Sequence, residues 1–311
     1  YRYNTLGQVV MQSSPDGGTS RFWYDRLGRL AISQNQKQAT GNQYSYTLYD
    51  ELGRIKEVGQ LTNATAITQA ISRHGGDATT AGSLANWLNN KPAEQITRTY
   101  YDKSYLDGQA TLCPLYICQA NLRNRVSYTA IYDAGVPGGK AEHTAATYYS
   151  YDIHGNVHTL LQDYNSGTMK ATGNRFKKLT YTYDLISGKV NEVAYQPGER
   201  DAFYHRYSYD AENKLIKAEM STDNVIWERI AQYEYYKHGP LAKTITGQLQ
   251  VQSVTNAYTL QGWMKGTVPG NDVNTQVARQ VFSYALNYNG SDYRAINAVP
   301  PFASVTVSGF T

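Results

Sequence analysis

Along most of the chain, apolar and polar residues alternate in short runs interrupted by turn residues. In a strand, residues i and i+2 share a face. Aromatic residues recur at that spacing: Tyr1 and Tyr3, Phe22 and Tyr24, Tyr44 and Tyr46, Tyr149 and Tyr151, Tyr181 and Tyr183, Tyr207 and Tyr209, Tyr233 and Tyr235. Each pair predicts a strand that carries two rings on one side. Several of these strands end in the same way, as in WYDRLGRL (Trp23 to Leu30) and LYDELGRI (Leu48 to Ile55). The Asp that follows the key Tyr suits an Asx-turn, in which a short carboxylate accepts from backbone N–H groups just ahead. Gly28, Gly53 and Gly155 supply a positive φ without a steric penalty. Leu30, Ile55, Val157 and Val190 then restart an apolar run, so the predicted unit is a β-hairpin.

The unit recurs from end to end. The position after the key Tyr falls at Asn4, Asp25, Asp50, Asp102, Asp133, Asp152, Asp184 and Asp210, with Tyr236 once in that place. The steps are 21, 25, 52, 31, 19, 32, 26 and 26 residues. A unit of this size cannot bury a face alone and must stack on its neighbours.

Two segments depart from the pattern. Residues 61–93 are rich in Ala, Thr, Asn and Gly and are expected to be an insertion packed on the sheet. Within them Ser83 precedes Leu84, Trp87 and Leu88, which predicts one short helix near 83–90, N-capped by Ser83 and ended before Pro92. Residues 104–122 hold both cysteines and are expected to form a loop or irregular hairpin. Past residue 246 the pattern changes, although Thr246 to Val254 still alternates, and Val305 and Val307 predict a strand near the end.

Composition sharpens this picture. Of 311 residues, 29 are Tyr against 6 Phe and 4 Trp, and 26 are Gly. Tyr joins a large apolar ring to a polar tip and favours strands, so the bias fits all-β structure with half-wet faces. The net charge of +4 is spread without a basic cluster, which gives no reason to expect a nucleic-acid partner. No apolar run reaches membrane-spanning length. The first residues, YRYN, lie inside a repeat, and the chain reads as a piece of something longer.

Chemistry is sparse. Asp25, Asp50, Asp152, Asp184 and Asp210 recur once per unit at equivalent places, so they read as turn residues rather than paired acids or calcium ligands. His154 and His158 flank a turn and not a helix face, so no metal site is expected. No nucleophile elbow, phosphate loop or metalloprotease helix is present. The expectation is no catalytic residue, no cofactor and no enzyme activity. Cys113 and Cys118 match no zinc or redox spacing; two buried thiols, or a local disulfide in an exported chain, both fit.

The unit resembles the YD repeat of RHS proteins. The resemblance rests on Tyr24-Asp25-Arg26-Leu27-Gly28-Arg29-Leu30 and Tyr49-Asp50-Glu51-Leu52-Gly53-Arg54-Ile55. It continues through Tyr151, Asp152 and Gly155, then Tyr183, Asp184 and Gly188 with the Gly one place later, and then Tyr209 and Asp210 with Asn213 in the Gly place. It implies a long coiled sheet of hairpins forming a shell, as in bacterial polymorphic toxins, the B and C components of Tc toxins and teneurins. On this reading residues 1–245 are the repeat segment. Residues 246–311 continue toward a core outside this chain, with 282–288 similar to the lead-in of Bacteroidetes-type members. No Asp-Pro dipeptide occurs, so the family's self-cleavage does not carry over. The implied function is structural: part of a cage that encloses a C-terminal toxin or other cargo in a protein secreted by, or on the surface of, a bacterium. The implied partners are the rest of the same polypeptide and its cargo, with secretion machinery beyond them. A module of another class, binding carbohydrate or protein at the cell surface through its Tyr rows, is the alternative.

Overall fold

The computed structural model describes residues 1–105, 113, 116–139, 142–268, 283–286 and 288. Val305 and Val307, and Phe282 and Asn287 of the 282–288 segment, lie outside these. The chain divides into two compact units, Tyr1–Lys178 and Leu179–Thr311.

The first unit is an antiparallel meander. Its strands are β1 (Arg2–Tyr3), β2 (Val9–Ser14), β3 (Gly18–Tyr24), β4 (Leu30–Gln34), β5 (Gln43–Tyr49), β6 (Ile55–Thr62), β7 (Ala93–Tyr101), β8 (Val126–Gly135), β9 (Ala145–Tyr151) and β10 (Val157–Tyr164). Each pairs with its neighbours in sequence. The second unit repeats the plan with β11 (Phe176–Tyr183), which starts just before the division, then β12 (Val190–Tyr195), β13 (Phe203–Tyr209), β14 (Leu215–Ser221), β15 (Glu228–Tyr235), β16 (Leu241–Thr246), β17 (Gln252–Tyr258), β18 (Met264–Val268) and β19 (Tyr284–Ala285). These too pair in sequence order. The protein is all-β, built of consecutive hairpins.

Four short helices accompany the strands: α1 (Gln36–Thr40), α2 (Gln69–Arg73), α3 (Leu84–Leu88) and α4 (Gly167–Ala171). Ser83 caps α3, accepting from the Asn86 N–H at 3.0 Å. The other three were not legible, because each has a single turn and no apolar stripe to reveal it. Asn35 and Gln38 form a capping box that holds α1 in place of a tight turn.

The first unit has two unlike faces. Cross-strand pairs put Ile32, Tyr46 and Gly59 in line, and then Tyr128, Tyr148 and Leu161. Of these, Ile32, Tyr46, Tyr148 and Leu161 form the buried core with Tyr44, Leu61, Ile96, Ala130 and Tyr132, and Tyr128 packs against it. Ile67, Trp87, Leu88 and Ile117 cover this face from the two irregular segments. Trp87 meets Tyr44 edge-on at 5.2 Å and donates its indole N–H to the Thr65 carbonyl at 2.9 Å. Full burial of such side chains stabilises by about 1.5–3 kcal/mol each, so the insertion is part of the core of this unit.

One sequence match was misplaced. Tyr132 and Asp133 lie inside β8, not at a turn. Tyr132 is buried on the core face while Asp133 is exposed. The dipeptide matched, but Val136 stands where the positive-φ Gly or Asn is needed, and the strand simply runs through. The turn pattern also extends past 246. Thr259 takes the Asp place, with its N–H on the Trp263 carbonyl at 2.8 Å and the Gly262 N–H on its own carbonyl at 2.9 Å.

Candidate functional site: the repeated turn and its tyrosine

The Asp that ends each strand is tied to the turn by its own backbone and carboxylate. At Asp25 the N–H donates to the Arg29 carbonyl at 2.8 Å, and the Gly28 N–H returns to the Asp25 carbonyl at 3.1 Å. Oδ1 accepts from the Leu27 and Arg29 N–H groups at 2.9 and 2.8 Å, and Oδ2 accepts from Arg29 Nε at 2.7 Å. Asp50 repeats this with Leu52 and Arg54. Asp152 uses the Gly155 and Asn156 N–H groups, and Asp210 those of Glu212 and Lys214. Asp184 closes a turn one residue longer, accepting from the Ile186 and Ser187 N–H groups. Burial pushes the Asp50 carboxyl up, but the bonds from Arg54 and Leu52 outweigh it and hold the group below its ordinary range. Gly28 sits at φ +79° and Asn213, in the same place, at +62°; Asn tolerates this region better than other side chains.

Every such turn carries a register shift at the key Tyr, for example between Trp23 and Tyr24 and between Leu48 and Tyr49. One extra residue bends the strand and interrupts the ladder. The first residue after the turn is therefore left two places short of its next strand. Leu30 precedes the first pair of β4 with β5, which is Ile32 with Tyr46. Its carbonyl needs a donor, and the key Tyr of the following hairpin provides one: the Tyr49 hydroxyl donates to the Leu30 carbonyl at 2.8 Å.

The same bond recurs along both units. Tyr24 donates to Val9, Tyr101 to Ile55 and Tyr151 to Val126. Tyr209 donates to Val190, Tyr235 to Leu215, Tyr258 to Leu241 and Tyr288 to Met264. Each joins one hairpin to the previous one. A cation fixes the ring from above: Arg29 lies 4.2 Å over the Tyr49 ring and Arg54 4.1 Å over that of Tyr101, with Arg125 over Tyr151 and Lys214 over Tyr235. The Arg in Y-D-x-x-G-R thus binds its own Asp and stacks on the next unit's Tyr. That link was visible in the sequence as a conjunction of residues, but its two partners lie about one unit apart.

Sequence reasoning missed a second feature, the carboxylates buried on the core face. Glu57 is 1% exposed. It accepts from Arg98 Nε at 2.7 Å, the Tyr46 hydroxyl at 2.7 Å and the Gly138 N–H at 3.0 Å. Arg98 stacks 4.4 Å over Tyr132. Burial, then neighbouring Tyr100, pushes the Tyr132 hydroxyl up to about 12. Asp163 is held by Arg175 through two bonds at 2.6 and 2.8 Å and by His143 Nε2 at 2.8 Å. Burial pushes the Asp163 carboxyl up, and its bonds to Arg175 and His143 pull it below the ordinary range. The only sequence signal was a charged residue at an inward place of an alternating strand, Glu57 in line with Gly59 and Leu61. These acids are fully engaged, and each ties strands together.

Cys113 and Cys118 are joined, with Cα atoms 4.7 Å apart. The adjoining stretch is sewn to the sheet. Gln119 donates to the Ser127 and Tyr149 carbonyls, and Ser150 Oγ donates to the Cys118 carbonyl at 3.1 Å. No group of three or more His, Cys, Asp or Glu suited to a metal occurs among the described residues.

Hairpins tied in sequence by an Asp turn and a tyrosine define a YD-type repeat with an RHS-like shell fold. The same fold occurs in the solved structure of TcdB2-TccC3 without its hypervariable C-terminal region, with a TM-score of 0.58 at 12% identity over 91% of this chain and 11% of that one. TcdB2-TccC3 itself gives 0.57 at 13% identity, over 91% of this chain and 12% of that one. The Photorhabdus luminescens Tc holotoxin pore gives 0.56 at 12% identity, over 91% and 11%. The chain thus spans about a tenth of the length of the chains it matches. No protein-family model matches it, and no curated protein does.

Proposed function

We propose that this chain is a structural segment of an RHS/YD-repeat cage, which encloses or carries a C-terminal toxin or other cargo polypeptide in a secreted bacterial protein. The observation that carries this reading is the recurring Tyr-to-carbonyl bond. It commits the most abundant aromatic residue to joining hairpin with hairpin, and it extends the sheet without any limit set by the unit itself. The structures sharing the fold are parts of Tc toxin assemblies, one of them described as lacking a hypervariable C-terminal region. The Cys113–Cys118 bond fits an oxidising destination. A cell-surface module that reads glycans through its Tyr rows needs free hydroxyls and open rings. Here eight key hydroxyls are committed to backbone carbonyls, which supports the structural reading.

The test is limited proteolysis of the full-length natural polypeptide, native and in urea. The segment C-terminal to the repeats is expected to resist protease in the native protein and to be digested once the repeats unfold. Rapid loss of that segment while the repeats remain intact would refute enclosure.

A further inference from the structure

A cavity of about 270 Å³ opens in the first unit between the Asp25 turn and the insertion. It is small for a ligand site but within reach of a compact molecule. Its floor is apolar, formed by Leu48 of β5 and by Leu84 and Leu88 of α3. Its mouth is basic: Arg26 comes from the turn, and Arg73 and His74 from the end of α2. Asp25 and Arg29 also line it, but Asp25 is spent on Arg29 and on two backbone N–H groups.

Arg26 and Arg73 make no ion pair or hydrogen bond among the described residues. Their convergence is a tertiary event, since 47 residues of chain separate them. Arg26 reaches the insertion by lying across Gly75, its Nη1 3.3 Å from where a side chain there would begin. Two guanidinium groups without a counter-charge, lining one cavity, are costly to hold together. An anion between them removes that cost, and guanidinium forks match a carboxylate in two-pronged geometry. The floor has no charge to offer and takes an apolar body.

We propose that this cavity binds an amphipathic carboxylate, its head between Arg26 and Arg73 with His74 at the edge, and its aliphatic or aromatic body on Leu48, Leu84 and Leu88. The site is independent of the cage reading, because nothing in its chemistry depends on a cargo.

The test uses the full chain and hexanoate, with hexanol and hexylamine as neutral and cationic controls of equal length, followed by calorimetry or ligand-observed NMR. Hexanoate is expected to bind saturably with Kd on the order of 1 mM, and the two controls are not. Arg26→Ala and Arg73→Ala are each expected to weaken hexanoate about tenfold. Their melting temperature should stay at the parent value, since neither side chain holds the fold. The proposal is overturned by hexanol binding as well as hexanoate, by no saturation up to about 50 mM, or by both variants retaining parent affinity.

Discussion

Tyr49→Phe removes one oxygen atom and nothing else from the joint between two hairpins. The ring stays under Arg29, 4.2 Å from its guanidinium carbon, and the Leu30 carbonyl loses its donor at 2.8 Å. A lost bond that strands a part-buried acceptor costs about 1–2 kcal/mol. For a cooperative unit of this size, each kcal/mol lowers the melting temperature by roughly 2–4 °C, so a drop of roughly 2–8 °C is expected. Tyr49→Ala also removes the ring and its cation, and should cost about 3–5 kcal/mol. The control is Tyr3→Phe, since Tyr3 is exposed and its hydroxyl makes no bond among the described residues. Thermal unfolding by circular dichroism compares the three. If Tyr49→Phe melts with Tyr3→Phe, within about 0.5 kcal/mol, the hydroxyl bond is not what joins the hairpins.

Three further outcomes are expected. Glu57→Gln leaves Arg98 without its counter-charge and should destabilise by about 3–5 kcal/mol, more than the Glu57→Leu, Arg98→Leu double variant; urea titration of both checks the order. Gly28→Ala at φ +79° should cost about 1 kcal/mol or more, while Gly28→Asn should cost less, because Asn213 holds the same place. Burial raises Tyr49, Tyr101, Tyr151, Tyr209 and Tyr235 above the ordinary phenol value. Their contribution to stability is thus fully present below about pH 10 and is lost as pH rises through the higher folded values. Melting temperatures measured from neutral to strongly alkaline pH should fall above about pH 10, and less steeply in Tyr49→Phe, where one such group is gone.

Much of the fold was legible because it is local. The alternation, the Asp, the positive-φ residue and the re-entering apolar residue all act within about seven residues, and each imposes its geometry through hydrogen bonds to its own backbone. Tyr132-Asp133 shows the limit of that logic, since the dipeptide without the positive-φ residue in its place is only strand. The single-turn helices escaped because one turn leaves no periodicity to read.

The sequence by itself determined the hairpin unit, its recurrence, and the turn role of Asp25, Asp50, Asp152, Asp184 and Asp210, since backbone sterics and short-range hydrogen bonds decide these. Tertiary structure alone decided which face of each strand is covered. Tyr44 and Tyr46 share a spacing with Tyr149 and Tyr151, yet the first pair is buried against the insertion while Tyr149 and Tyr151 remain half-exposed. It also decided where the hydroxyls go, how Glu57 finds Arg98 from 41 residues away, and that Arg26 and Arg73 line one cavity. Those partners are chosen by register shifts and by the path of the insertion. Both depend on the summed packing of many strands, which no seven-residue window contains.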